Sequence, residues 1–156
     1  ERKEIEPLKV ITKNDFRWGR GDIKVTSLMA NGLLKNEALA EGFDDAVLIR
    51  DGEVTEATAA NVFIVKDGVI ATPPKSPYLL HGITRDHVVS LAKKANMPLD
   101  ERALTEDELL NADEVWITST GYEVWPVCQV NDRFIGNGSA GVVWQEIDRL
   151  FQSSKD

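Results

Sequence analysis

The sequence predicts an α/β or α+β domain built on a mixed sheet, and three observations lead there. Short β-branched runs are joined by two-residue Asp-Gly turns at Asp51-Gly52 and Asp67-Gly68, the signature of antiparallel hairpins. Stretches of helical period interrupt those hairpins, which excludes an all-parallel doubly wound sheet. The 156 residues, 42% apolar and 28% charged, are enough for one ordinary domain with a proper core.

Taken in order, Leu8 to Thr12 is a short β-branched run that reads as an edge strand. The loop Arg17-Trp18-Gly19-Arg20-Gly21-Asp22-Ile23-Lys24 follows. From Ser27 to Glu41 apolar residues fall at Leu28, Leu33, Leu34, Ala38 and Leu39, a helix with Ser27 as N-cap and Gly42 as C-cap. Ala46–Arg50, Glu53–Glu56, Asn61–Val65 and Val69–Thr72 are strands. Small residues, Ala57-Thr58-Ala59-Ala60, separate the second from the third. A rigid Pro73-Pro74-Lys75-Ser76-Pro77 loop leads to a helix opened by Gly82-Ile83-Thr84-Arg85 and running to about Asn96, beyond which Pro98 stops it. Leu99–Ala103 reads as a short strand, and Thr105-Glu106-Asp107-Glu108 as a capping box for a helix to Asn111. Glu114–Thr118 is a strand; Val127–Val130 and Arg133–Ile135 pair around Asn131-Asp132; Ala140–Phe151 is an amphipathic helix, and the last residues fray.

Composition excludes several functions. A net charge of −8 lacks the basic stripe of a nucleic-acid surface. No apolar run approaches the roughly 18 residues of a membrane span. One cysteine, Cys128, forms no internal disulfide and, with two histidines, makes no Cys/His zinc site. There is no dinucleotide fingerprint and no Walker loop. The expected location is the cytoplasm. Cys128, between Val127 and Val130, reads as core, His87 as surface, and His81 has either a basic or a bland role open to it.

Three features share one chemistry. Gly82-Ile83-Thr84 begins a helix, so free backbone N–H groups and the Thr84 hydroxyl are placed to grip a phosphate. Ser119-Thr120-Gly121 leaves a strand end with two hydroxyls, a second donor cluster. Glu56, at a strand end before the small residues, is either a solvated carboxylate or the partner of a protonated pyridine nitrogen. A lysine amine, Lys24, would complete that constellation as a Schiff-base former. Read one at a time, each is also ordinary capping, turn or surface chemistry.

Four motifs in order carry a resemblance: Arg20-Gly21-Asp22-Ile23-Lys24; Asp51-Gly52-Glu53-Val54-Thr55-Glu56 with Asn61-Val62-Phe63; Gly82-Ile83-Thr84-Arg85; and Thr118-Ser119-Thr120-Gly121 with Pro126-Val127. From about Val10 to Phe151 the chain resembles the larger, C-terminal domain of the fold-type-IV pyridoxal-phosphate enzymes, the class IV aminotransferase family. The resemblance implies an α/β fold with a mixed, partly barrel-like sheet and helices packed outside. It divides the chain into a linker or cut end (1–9), a pyridoxal-phosphate-binding domain (10–151) and a frayed tail (152–156), with the family's smaller N-terminal domain absent. It implies pyridoxal 5′-phosphate as cofactor, Lys24 as the Schiff-base lysine and proton shuttle, and Glu56 opposite the pyridine nitrogen. Leu80 would lie against the ring, Ile83 and Thr84 would form the phosphate cup, and Ser119 and Thr120 would close it. The implied activity is amino-group transfer between an amino acid and a 2-oxo acid, in a homodimer when full length. The Asp-Ile-Lys run is most similar to D-amino-acid transaminases; an aminodeoxychorismate-lyase type of reaction and a non-catalytic fragment are the alternatives. Two departures bear on substrate: Ala57-Thr58-Ala59-Ala60 stands where Gly-Ser-Ser-Ser is usual, and Tyr122 where a small polar residue is usual.

Overall fold

A computed structural model describes residues 4–25 and 28–155. Strands β1 (Leu8–Asn14) and β2 (Asp45–Arg50) run parallel, with helix α1 (Met29–Ala40) between them in the chain. Strand β3 (Glu53–Ala57) folds back on β2, and β4 (Asn61–Lys66) with β5 (Val69–Thr72) makes a second hairpin. Both turns hold their Asp and Gly at positive φ, 52° and 80° for Asp51-Gly52 and 50° and 78° for Asp67-Gly68. That is the type I′ geometry whose twist matches the strands.

Helix α2 (Ile83–Lys94), strand β6 (Leu99–Glu101) and the short helix α3 (Glu106–Leu110) follow, then β7 (Glu114–Ser119), β8 (Glu123–Val130), β9 (Arg133–Phe134) and α4 (Val142–Ser153). Among the described residues the strands form one mixed sheet in the order β3-β2-β1-β8-β7-β4-β5-β6, with β9 on β8. The sheet curls until its ends meet. Arg102 donates its N–H to Thr72, Val54 donates to Leu104, and Glu53 bridges Thr105, so residues 102–105 join the β6 side to β3. The barrel-like sheet with outer helices is therefore present.

The period of two along each strand sorts the core. Val62 and Ile64 of β4, with Val115 and Ile117 of β7, fill the barrel. Phe63 and Trp116, stacked with ring centroids 5.3 Å apart, point outward to Val88 and Ala92 of α2 and Ile147 of α4. Ala46 and Leu48 of β2 face Leu34 and Ala38 of α1.

Several sequence expectations change. Strand β1 is interior, parallel to both β2 and β8, because its second partner lies more than a hundred residues downstream where local pattern cannot see it. Strand β8 starts at Glu123; Pro126 sits inside it, opposite Trp116. The 99–103 strand is only three residues long, and the chain beyond it serves the barrel closure instead. The expected N-cap Ser27 lies outside the described residues, as do residues 1–3 and 156; Leu28 occupies the cap position of α1. Gly42, at φ 88°, follows the cap at Glu41, and Phe43 donates to Ala38 and Gly42 to Leu39 in a Schellman closure. In the segment read as a linker, Glu6 accepts from the Trp125 indole and Ile5 packs on the outer core. The tail read as fraying continues α4 to Ser153, and Gln152 and Lys155 both reach Glu123. His87 is half-buried, its Nε2 2.7 Å from Ser154 Oγ and its ring edge-on to Phe151.

The first turn of α4 is capped from a distance. Glu114 of β7 accepts from the N–H groups of Val143 and Trp144, at 3.1 and 2.8 Å, and is itself buried. Gly141 is required beside it, because a Cβ there would collide with the Glu114 carboxyl. Glu114→Ala should lower stability in urea unfolding by about 1–2 kcal/mol, the worth of a lost cap and two stranded donors. Gly141→Ala should be at least as damaging; a Gly141→Ala variant as stable as the parent would contradict the packed cap.

Candidate active site

Glu56 is 6% exposed at the end of β3. A buried carboxylate must be paired or hydrogen-bonded to remain tolerable. Arg17 Nη1 donates to its Oε1 at 2.7 Å, and the Leu80 backbone N–H donates to its Oε2 at 3.0 Å. Each carboxylate oxygen accepts more than one hydrogen bond, so both keep capacity for a further donor. Burial pushes the Glu56 carboxyl up, and the Arg17 guanidinium and Leu80 N–H pull against it without cancelling the rise.

Behind Glu56 lies a second carboxylate. Asp15 follows β1, and its N–H is fixed to Ile49 at 2.7 Å. Its oxygens meet Arg17 Nε at 2.9 Å and Nη2 at 3.0 Å in a bidentate pair, and the Thr55 hydroxyl donates at 2.8 Å. Arg50 Nη2 adds a longer contact at 3.3 Å. Burial alone would raise Asp15, but the hydrogen bonds and charge of Arg17, with Thr55, outweigh it and hold the carboxyl at about 2. Two carboxylates and two guanidiniums make the cluster electrically balanced.

The other candidates reach this point through Asn61. At the start of β4, Asn61 donates from Nδ2 to Leu80 O at 2.8 Å. Its Oδ1 lies 2.5 Å from where a Cβ on Gly82 would stand, so only glycine lets the α2 N-terminus come this close. Gly82 offers α2 no side-chain cap, which leaves first-turn N–H groups of Ile83 and Thr84 available to an anion. Ile83 is 88% exposed and Thr84 is half-buried. Asn61 also pairs in register with Thr118, which brings the end of β7 alongside. There Ser119 Oγ accepts from the Tyr122 N–H at 3.0 Å, closing the turn, and Thr120 is exposed in it.

Lys24 is exposed, and no hydrogen bond or ion pair holds its amine among the described residues. Its loop is pinned on both sides of the Glu56 site. Gly21 lies against the Tyr78 carbonyl, and beyond Lys24 Asn31 Nδ2 donates to Thr58 O at 2.6 Å. The structure thus joins Glu56, Leu80, the α2 start and the β7 end; Lys24 is exposed two residues beyond Asp22, whose N–H donates to Pro77 O, and no described contact joins its side chain to them. Sequence reading assigned no role to Asp15, Arg17 or Asn61. Asn61, immediately after the small-residue stretch, was the available signal; Asp15 and Arg17 offered none. His81 is exposed, its Nε2 3.1 Å from Ser76 O, and Cys128 is buried.

This geometry has relatives. The chain belongs to the amino-transferase class IV family, whose sequence profile matches residues 2–130. Over 154 residues it is 42% identical to a D-alanine aminotransferase from Bacillus licheniformis, covering 99% of this chain and 54% of the relative. A D-alanine aminotransferase from Staphylococcus aureus (strain N315) is 38% identical over 142 residues, 91% of this chain and 50% of the relative. Among solved structures, a T.th. branched-chain amino acid aminotransferase with pyridoxamine 5′-phosphate superposes with a TM-score of 0.87 at 36% identity, over 95% of this chain and 51% of that one. An aminotransferase from Brucella abortus bound to PLP gives 0.87 at 28%, over 97% and 55%. The chain spans about half the length of the curated relatives it matches. No helix among the described residues is long and apolar enough to cross a membrane.

The Asp15 pair carries a pH signature. Its folded carboxyl titrates at about 2 against an ordinary 3.8, so the unfolded chain binds the proton more readily. The stability it contributes, about 2 kcal/mol, is therefore complete above the ordinary value and is lost as pH falls through the folded one. Asp15→Asn should cost about that much near neutrality, with the gap to the parent closing as pH falls from about 4 to about 2. Urea unfolding at several pH values reads it; a gap independent of pH in that window would rule out the ion pair as its source.

Proposed function

We propose that this chain supplies the cofactor-holding half of a pyridoxal-phosphate-dependent aminotransferase that moves an amino group between an amino acid and a 2-oxo acid. One observation carries the reading: a buried carboxylate with spare acceptor capacity, Glu56, accepts from the Leu80 N–H two residues before an uncapped helix N-terminus, and Asn61 holds the Leu80 carbonyl. An acceptor for a protonated ring nitrogen and an anion-binding helix end on one short segment are the groups that pyridoxal 5′-phosphate calls for, so the residues fit it. When bound, the cofactor serves as an electron sink for charge developing at the substrate Cα.

The chain's own residues have separable tasks. Glu56 accepts the hydrogen bond of the protonated ring nitrogen, and its raised basicity strengthens that acceptor. Leu80 offers its side chain to the ring face while its N–H stays on Glu56. Ile83 and Thr84, at the positive end of α2, hold the phosphate, and Ser119 and Thr120 close the cup. Lys24, exposed on the loop that follows Arg17, contributes the amine nucleophile and moves the proton at the substrate Cα.

The D-alanine aminotransferase relatives support a D-amino acid as donor, through 42% identity over nearly the whole chain. The chain spans about half the length of these relatives, and for the full-length protein we expect a homodimer in the cytoplasm. Added pyridoxal phosphate should give a visible absorbance band that borohydride alters and that Lys24→Ala lacks; the same band in Lys24→Ala would defeat the role of Lys24. Glu56→Ala should lower cofactor retention only several-fold yet lose on the order of a hundredfold in turnover, measured as keto acid formed from D-alanine with a 2-oxo acid acceptor. Unchanged turnover would remove Glu56 from the mechanism, and pyruvate formed without an acceptor would point to a lyase.

A further inference from the structure

We propose that Asp15 is a positioning residue for the reaction: it clamps the Arg17 guanidinium so that Nη1, and only that edge, is delivered to Glu56. The proposal deepens the reading above, since it rests on Glu56 as the acceptor for the cofactor's ring nitrogen.

The geometry is specific. Asp15, whose side chain is fully buried, receives five donors: the Arg17 N–H, Nε and Nη2, the Thr55 hydroxyl, and Arg50 Nη2. The Nε–Nη2 edge of the guanidinium is thereby occupied by one carboxylate in a planar fork, which fixes its rotation. Nη1 has one orientation left, 2.7 Å from Glu56 Oε1, and Nη2 is further tied to Tyr78 O at 3.2 Å. Arg50 braces the same loop by donating to Arg17 O at 2.6 Å. The charged groups facing Glu56 are Arg17 and, behind it, Asp15, with Arg50 on the far side of Asp15. Were Arg17 free to turn, it could offer two parallel bonds to Glu56 and cover both of its oxygens. The Asp15 fork limits it to one bond and keeps the remaining acceptor capacity open toward the ring nitrogen.

An asparagine at position 15 has one carbonyl oxygen and one amide NH₂, so it cannot accept both parallel N–H bonds. Its loss of the fork should change how Arg17 meets Glu56, and the carboxyl of Glu56 reports that contact directly. In the cofactor-free chain, labelled with 13C at glutamate carboxyls, Asp15→Asn should move the Glu56 titration midpoint down by about one pH unit, because a freed Arg17 engages Glu56 with two bonds and an uncompensated charge. Arg17→Gln should move it up, and in that background Asp15→Asn should give a clearly smaller downward step, the direct loss of the Asp15 charge alone, so that the larger part of the effect passes through Arg17; an equal step in both backgrounds overturns the clamp. A midpoint in Asp15→Asn that is unmoved or raised overturns the clamp. Should Asp15→Asn fail to fold by circular dichroism, Thr55→Val withdraws one ligand of Asp15 and should give a smaller downward shift; no shift there overturns the clamp as well. A second readout uses pyridoxal phosphate itself: retention on dialysis should fall several-fold in Asp15→Asn as Arg17 competes for Glu56. If the midpoint shifts as stated while Asp15→Asn and Glu56→Gln both retain pyridoxal phosphate like the parent, the clamp stands as structure, but Glu56 is not the ring's partner and the positioning role is overturned.

Discussion

The burial of Glu56 is the constraint on which the site depends. A buried carboxylate at the end of a strand has to be met by donors, and the hydroxyl of β3, Thr55, is already given to Asp15. It draws Arg17 from the loop after β1 and the Leu80 N–H from the loop before α2, joining segments 39 and 24 residues away. Arg17, in turn, is tolerable inside the protein because Asp15 shares its charge. The polar cluster is neutral as a whole, so it can sit beside the barrel core without an uncompensated ion.

The sheet sets where these segments can meet. Because β1 and β2 are parallel neighbours, the chain must leave the sheet between them, and that departure carries Asp15, Arg17 and Lys24 past β3. The register of β4 with β7 places Asn61 opposite Thr118, and Asn61 then ties down the Leu80–Gly82 segment. One side chain thereby relates the uncapped end of α2 to the loop after β7. Ala59 and Ala60 bring no hydroxyl to this neighbourhood, and Thr58 gives its own hydroxyl to Asp45 at 2.6 Å.

Local chemistry was readable from the chain wherever the cause was local. Asp-Gly at positions 51 and 67 announced the hairpins because only such pairs accept two positive φ values cheaply, and Thr105 with Glu108 announced the capping box that the structure contains. Glu56 and the α2 start lay in motifs that follow in order, and Leu80 was named only through the resemblance. Long-range partners were not. The edge position expected for β1 was wrong because β8 is distant in sequence, and Pro126 hid the first half of β8. Asp15 and Arg17 looked like loop charges, since nothing in spacing tells that both side chains are buried against a strand forty residues on. Asn61 was visible as part of a motif, but its bond to Leu80 and its approach to Gly82 are facts of packing.

The central claim is that Lys24 provides the amine that pyridoxal phosphate takes up at the site built around Glu56. Borohydride reduction of the chain with pyridoxal phosphate, followed by proteolysis and peptide mass mapping, tests it most directly. The expected result is the reduced cofactor's mass on the peptide containing Lys24 at near-stoichiometric yield, and its absence from surface lysines such as Lys66 and Lys93. Label spread over those lysines, with none favoured, would contradict it.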